Sequence, residues 1–296
     1  MKILLTGANG FLGHYLTAQL LQKKYQVIAT GKGESRLPFA HLQHFEYSTM
    51  DFTDPNQVEK VFDKYQPDFV VHAGAMSKPD DCELQQELAR RINVEGTGLL
   101  LQNATKYKAA FLYVSTDFVF DGDKGMYDEK DTPNPINYYG KTKLEAEVLV
   151  QAYSYHWAIA RTVLVYGKPL TGRSNILTIV KEKLKKGEEY SVVSDQLRTP
   201  TYVEDLAIGI ILMIEKKATG IYHLSGADIL TPYDMACAVA DYLGLNPSLL
   251  KKVTAASFSQ PASRPLKTGF NIDKASRELG FEPVSFETGL RKTLSS

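Results

Sequence analysis

The chain carries only two cysteines, Cys82 and Cys237, in 296 residues. Two isolated thiols build no disulfide framework and offer no CxxC metal spacing, so a reducing cytoplasm is the expected compartment. An excess of one charge is also missing. Lys plus Arg and Asp plus Glu both total 34, giving a formal net charge of zero. That balance argues against a nucleic-acid partner, which calls for a basic face. No apolar run approaches the ~18 residues needed to span a bilayer, and the longest, Leu206 to Ile214, ends in charge. The opening Met1-Lys2-Ile3-Leu4-Leu5-Thr6 has the length of a strand rather than of a signal-peptide core, so no membrane association is expected. Internal repeats and low-complexity tracts are absent. Asp121, Asp123, Asp128 and Glu129 are spaced like a solvated loop without an EF-hand pattern, and no metal is expected.

What the chain does have is alternation. Ile3–Thr6, Gln26–Thr30, Asp68–His72, Phe111–Ser115 and Trp157–Arg161 read as buried strands. Between them lie Phe11–Lys24, Pro55–Tyr65, Leu84–Lys106 and Tyr138–Tyr155, with helical spacing such as Leu12, Leu16 and Leu20. The pattern predicts an α/β fold, a Rossmann-like doubly wound parallel sheet covered on both faces. After Gly167 the pattern loosens. Asn175–Lys186, Val203–Lys216 and Thr231–Leu243 read as helices, with short strands at Tyr190–Val193 and Ile221–Leu224. Residues 1–166 are expected to form the dinucleotide domain. Residues 167–296 are expected to be mainly a smaller α/β substrate lobe, with some later segments returning to the first domain.

Thr6-Gly7-Ala8-Asn9-Gly10-Phe11-Leu12-Gly13 follows the first strand and opens the first helix. Glycines here make the tight turn, admit backbone to a pyrophosphate and let helix pack on strand. The helix N-terminus then faces the phosphates with free N–H groups. A glycine triplet alone is a weak signal, and its place between strand and helix is what strengthens it. The second strand ends at Thr30-Gly31-Lys32 without the acidic residue that grips an adenosine ribose. Lys32 and Arg36 are instead candidates for a 2′-phosphate, which favours NADP(H) over NAD(H). Solvated loop charges are the plainer reading of the same residues.

Tyr139 and Lys143 stand four apart and share one helical face. A free tyrosine, with pKa near 10, is a poor acid–base partner at neutrality. An adjacent lysine cation stabilises its phenolate. A hydroxyl from Thr116 or Ser115, at the end of the preceding strand, completes the set by orienting a substrate carbonyl. In isolation a Tyr-x-x-x-Lys pair is more often structural; behind a strand ending in Ser-Thr it points to function.

These residues together resemble the extended short-chain dehydrogenase/reductase family, and within it the dTDP-4-dehydrorhamnose reductases. The likeness rests on Ser115-Thr116-Asp117-Phe118-Val119-Phe120-Asp121-Gly122, Pro133 to Glu147, Asp195-Gln196-Leu197-Arg198-Thr199-Pro200-Thr201 and Arg264-Pro265. It implies Thr116, Tyr139 and Lys143 as a catalytic trio reducing a 4-keto sugar nucleotide, with Tyr139 supplying the proton. It places Gly7, Gly10, Phe11 and Leu12 at the pyrophosphate and Asp51-Phe52 at the adenine, with Asn9 and Gly13 also among the cofactor-binding residues. Ala73, Gly74, Ala75, Ser115, Tyr139 and Lys143 would contact the cofactor, Lys143 at the nicotinamide ribose, and Asn93 would support its site. Phe118, Arg198 and Arg264 are the expected substrate contacts, at least one arginine serving the diphosphate.

Three positions depart from the family pattern. Phe118 stands where tyrosine is usual, Leu164 where tryptophan is common, and His72 where asparagine is usual. The first two leave the sugar open. His72 reads as a hydrogen-bonded strand-end histidine. Two other functions remain: a cofactor-binding regulatory subunit like the methionine adenosyltransferase β-subunit, and a sugar-nucleotide epimerase holding NAD. A small-molecule partner is expected, and a homodimer is the assembly considered.

Overall fold

A computed structural model describes residues 1–170 and 174–295. The first half runs β1 (Lys2–Thr6), α1 (Phe11–Gln22), β2 (Gln26–Gly31), β3 (Phe45–Thr49), α2 (Pro55–Tyr65), β4 (Phe69–His72), α3 (Pro79–Leu84), α4 (Gln86–Arg90), α5 (Gly96–Tyr107), β5 (Ala110–Thr116), α6 (Tyr138–Gln151) and β6 (Trp157–Thr162). The second half holds β7 (Val165–Tyr166), α7 (Ile176–Lys185), β8 (Tyr190–Val193), β9 (Thr201–Tyr202), α8 (Val203–Glu215), β10 (Gly220–His223), α9 (Pro232–Leu243), β11 (Leu250–Val253), α10 (Asp273–Leu279) and α11 (Phe286–Leu294).

Seven strands form one sheet in the order β10-β6-β5-β4-β1-β2-β3, and every pairing is parallel. Its strands are buried on both faces, so their side chains divide by parity. Ile3, Leu5, Val27, Ala29 and Leu112 join the core beneath α1, α8 and α10. Leu4, Ile28, Val70, Phe111 and Ile159 join the core beneath α2, α5 and α6. The strand order reverses between β1 and β4, the switch point at whose carboxyl ends ligands bind in such sheets.

A separate core gathers α7, α9, α11, β8 and β11, with Leu177, Val180, Met235, Val239 and Leu290 at its centre. The later chain is not confined to it. β10 adds to the main sheet beside β6, and α8 packs on α1. Among the described residues no helix is long and apolar enough to cross a membrane.

The expected elements shift in three places. The helix read as Leu84–Lys106 breaks after Leu84 and again at a π-helical turn, Arg91–Glu95. The extra residue in that turn brings Asn93 inward, where its amide bonds Met76 N at 2.8 Å and Met76 O at 3.1 Å. β3 was not expected at all; it is a short edge strand with a half-exposed face. The strand read as Ile221–Leu224 exists one residue earlier, but in the main sheet rather than the second lobe.

Candidate active site

The glycine turn closes on itself through Gly10 N donating to Gly7 O at 2.8 Å. Gly7 has φ +69°, and a Cβ there would meet the Ala73 and Gly74 backbone at 2.8–2.9 Å. A Cβ on Gly13 would lie 2.4 Å from Gly7 O, so the first turn of α1 sits directly on the loop. Gly10 caps α1 without a side-chain hydrogen bond, and the first turn carries no acidic residue. Its N–H groups and positive dipole end are thereby left to an anionic ligand. A dinucleotide pyrophosphate fits this cradle.

From that turn a single cleft of about 1510 Å³ crosses the molecule. At one end it is lined by Lys32, Arg36 and Phe52, in the middle by Gly74, Ser115, Tyr139 and Lys143, and at the far end by Arg198 and Arg264. Of the expected cofactor residues, Gly7, Asn9, Gly10, Phe11, Leu12, Gly13, Ala73 and Ala75 also line it. Asp51 and Asn93 act from behind the wall. Asp51 accepts from Thr53 and pairs with Lys32, and Asn93 ties the Met76 backbone to Thr142.

Helix α6 presents Tyr139 and Lys143. Asn137 caps it, its side chain accepting from Gly140 N at 2.8 Å while its amide donates to Ser263 O at 2.8 Å. The Lys143 side chain is 2 % exposed; its Nζ donates to Val114 O at 2.8 Å and lies 4.0 Å from the centre of the Tyr113 ring. Burial pulls the Lys143 pKa down to about 7, with the Glu147 carboxylate, one turn along, as the larger opposing influence. The cation is therefore present below that pH and lost above it. Because kcat/KM reports the free enzyme, it is expected to fall as pH rises through about 7. A pH–rate profile that stays flat to about pH 9 would remove the lysine from this role.

Thr116 ends β5 with its hydroxyl already engaged. It donates to Asp117 Oδ1 at 3.0 Å and accepts from Phe118 N at 3.3 Å. Asp117 is buried, takes a short hydrogen bond from Thr268 and lies 4.0 Å from Arg198 Nε. Burial pushes its carboxyl pKa up, against the pull of Arg198. Asp117 was not singled out from sequence, although it stands inside the motif; its partners lie far along the chain. Phe118 packs edge-on against Tyr139, ring centres 5.9 Å apart.

Arg198 lines the cleft with most of its donors already engaged. Its guanidinium donates to Leu197 O, Leu266 O and Pro265 O at 2.6–2.9 Å and to Gln196 Oε1 at 3.2 Å. It clamps two loops of the second lobe through both Nη atoms, while its Nε lies 4.0 Å from Asp117 Oδ2. Arg264 is paired bidentately with Asp80, at 2.7 and 3.0 Å, joining the lobe to α3. Leu164 lines the cleft with φ +33°. Asn175, Ile179, Tyr190 and Gln196 also line it and were missed, because local patterning carries no signal for which lobe residues face across. His72 is fully buried between Thr6 Oγ1, at 2.6 Å, and Thr97 Oγ1, at 3.1 Å. Burial first, and Lys143 second, take its pKa down to about 3, so it stays neutral.

Oxidoreductases that use NAD(P) in the extended short-chain manner are built on this plan, and the chain is of that class. More narrowly, it belongs to the family described as the RmlD substrate binding domain, which matches residues 1–296. Relatives include the dTDP-4-dehydrorhamnose reductase of Aggregatibacter actinomycetemcomitans, 31% identical over 98% of this chain and 97% of that one. They also include the methionine adenosyltransferase 2 subunit beta of Bos taurus, 32% identical over 86% of this chain and 75% of that one. Among solved structures, the dTDP-4-dehydrorhamnose reductase of Bacillus anthracis in complex with NADP superposes with a TM-score of 0.86. It is 30% identical and covers 99% of this chain and 98% of that one.

Proposed function

We propose that the protein reduces a 4-keto sugar nucleotide of the dTDP-4-dehydrorhamnose type, with NADPH preferred and NADH accepted. The observation that carries this reading is one cleft that holds the dinucleotide turn, Thr116, Tyr139 and Lys143, and the second lobe's Arg264. Residues 1–166, with α8, β10 and α10, serve the cofactor, and the remainder of 167–296 serves the sugar nucleotide.

Gly7–Gly13 would hold NAD(P)H, which when bound would supply a hydride to the sugar carbonyl carbon. Tyr139 donates its proton to the carbonyl oxygen as that oxygen gains charge. Lys143 stabilises the tyrosinate left behind, its burial strengthening the effect by excluding water. Thr116 orients the carbonyl by turning its hydroxyl proton from Asp117 to the substrate. Phe118 fills the space beside Tyr139 and holds the sugar against it.

Arg264 exchanges Asp80 for the substrate diphosphate, since a guanidinium fork matches either acceptor. Arg264→Ala is therefore expected to raise the sugar-nucleotide KM by roughly tenfold with little change in kcat. An unchanged KM with a lowered Tm would leave the arginine as an inter-lobe brace only.

A panel of keto-sugar nucleotides assayed by loss of NADPH and NADH absorbance tests the activity. Protein that binds NADPH, reduces none of them and changes a methionine adenosyltransferase's activity would support the regulatory reading instead, the reading the bovine relative favours. Bound NAD with no net consumption would indicate an epimerase. The absence of a membrane-crossing helix among the described residues and the two unpaired thiols are in keeping with cytoplasmic residence, which fractionation tests. A homodimer through the exposed Val148 and Leu149 of α6 is part of the same proposal; light scattering that reports a monomer removes it.

A further inference from the structure

The loop after β2 holds two cations in unlike circumstances. Asn9 fixes the loop itself: its amide donates to Glu34 O at 2.9 Å and Tyr47 Oη at 2.8 Å, and its oxygen accepts from Arg36 N at 2.9 Å. Tyr47 and Thr49 of β3 each donate to Gly33 O at 3.0 Å. Arg36 thus reaches the cleft from an anchored backbone, and its guanidinium makes no hydrogen bond or ion pair among the described residues. Lys32 also lines the cleft, but its Nζ lies 2.8 Å from Asp51 Oδ2. The other oxygen of Asp51 accepts from Thr53 N at 3.0 Å and Thr53 Oγ1 at 2.8 Å. The carboxylate is fixed, whereas the Lys32 side chain is 61% exposed and free to swing.

We propose that Asp51 sets the cofactor preference by competing with the 2′-phosphate of NADPH for Lys32. With NADH the ammonium stays on Asp51 and nothing is lost. With NADPH it leaves a fixed carboxylate for the phosphate, and that carboxylate then repels the phosphate. Arg36 supplies uncontested attraction, and Lys32 adds a discounted share. The carboxylate stands at the end of β3, beside the end of β2 where an acidic residue would grip a ribose. Here it tempers preference for NADPH instead, keeping NADH usable. The inference rests on the dinucleotide reading of the cleft and is independent of the sugar substrate.

The test is direct titration of NADPH and NADH, followed by their own fluorescence, on wild type, Asp51→Asn, Lys32→Gln and the double variant. Asparagine keeps the oxygen that Thr53 donates to and removes only the charge. Asp51→Asn is expected to raise the ratio of NADPH to NADH affinity by about 3- to 5-fold, the range an exposed ion pair carries, any change at the adenine being common to both nucleotides and cancelling in the ratio. Lys32→Gln should weaken NADPH more in the Asp51→Asn background than in wild type. A ratio of NADPH to NADH affinity that does not rise in Asp51→Asn overturns the proposal. So does a Lys32→Gln effect that is equal in both backgrounds. A wild-type protein that binds neither nucleotide overturns the dinucleotide reading itself, an outcome distinct from these.

Discussion

Replacing Tyr139 with phenylalanine is expected to lower kcat by roughly 10²- to 10⁴-fold, the range a positioned general acid contributes. The ring's packing would survive, because Phe118 meets it edge-on through carbon and needs no hydroxyl. Cofactor affinity is expected to change little, since only one hydroxyl is lost and the glycine turn and the β2 loop still line the cleft. Two measurements check the split: single-turnover reduction of a keto-sugar nucleotide, and NADPH titration. A Tyr139→Phe enzyme with near-normal turnover would mean that another group supplies the proton. Neutral, sealed His72 is no substitute, being bonded on both ring nitrogens.

The second large effect concerns stability. Glu147 and Arg161 are buried and joined bidentately, Nε to Oε1 at 2.9 Å and Nη2 to Oε2 at 2.6 Å. They tie α6, which presents Tyr139 and Lys143, to β6 beneath it. Glu147→Gln would leave an uncompensated guanidinium in the core, at a cost of about 3–5 kcal/mol. Replacing both partners by leucine removes the two charges together, and such exchanges are often neutral. The double variant is therefore expected to recover most of the loss in urea unfolding. It would still lack the carboxylate that opposes burial at Lys143, so the alkaline limb of its pH–rate profile should move to lower pH. Equal stability of the single and double variants would show that the pair is not the brace described. An unmoved limb would separate Glu147 from the lysine.

How much of this was legible beforehand follows from the range over which each signal acts. The first turn was readable because Gly7, Gly10 and Gly13 answer to one local backbone demand. Tyr139 and Lys143 were readable because helical spacing alone puts them on one face. Parity in β1 and β5, buried on both sides, gave continuous apolar runs and hence a parallel sheet. The edge strand β3 escaped because Phe45–Thr49 is short and half exposed. β10 was found but grouped with the second lobe, since its pairing with β6 depends on the whole chain's path. Arg198 was expected among the substrate contacts, and it lines the cleft. That three backbone carbonyls and a glutamine would engage four of its five N–H donors depends on loops 196–198 and 265–266 meeting, which no local pattern encodes. Asp117 was overlooked for the same reason, its partners Thr268 and Arg198 being remote in sequence.

The central claim is that hydride passes from the dinucleotide to a sugar carbonyl held by Thr116 and Tyr139. Incubation with dTDP-4-dehydrorhamnose and NADPH deuterated at nicotinamide C4 tests it most directly, with the product read by mass spectrometry and NMR. The account predicts one deuterium per product molecule, at sugar carbon 4, from one of the two C4-deuterated epimers of NADPH. NADPH that is bound but not oxidised, or a product without deuterium at that carbon, would contradict it.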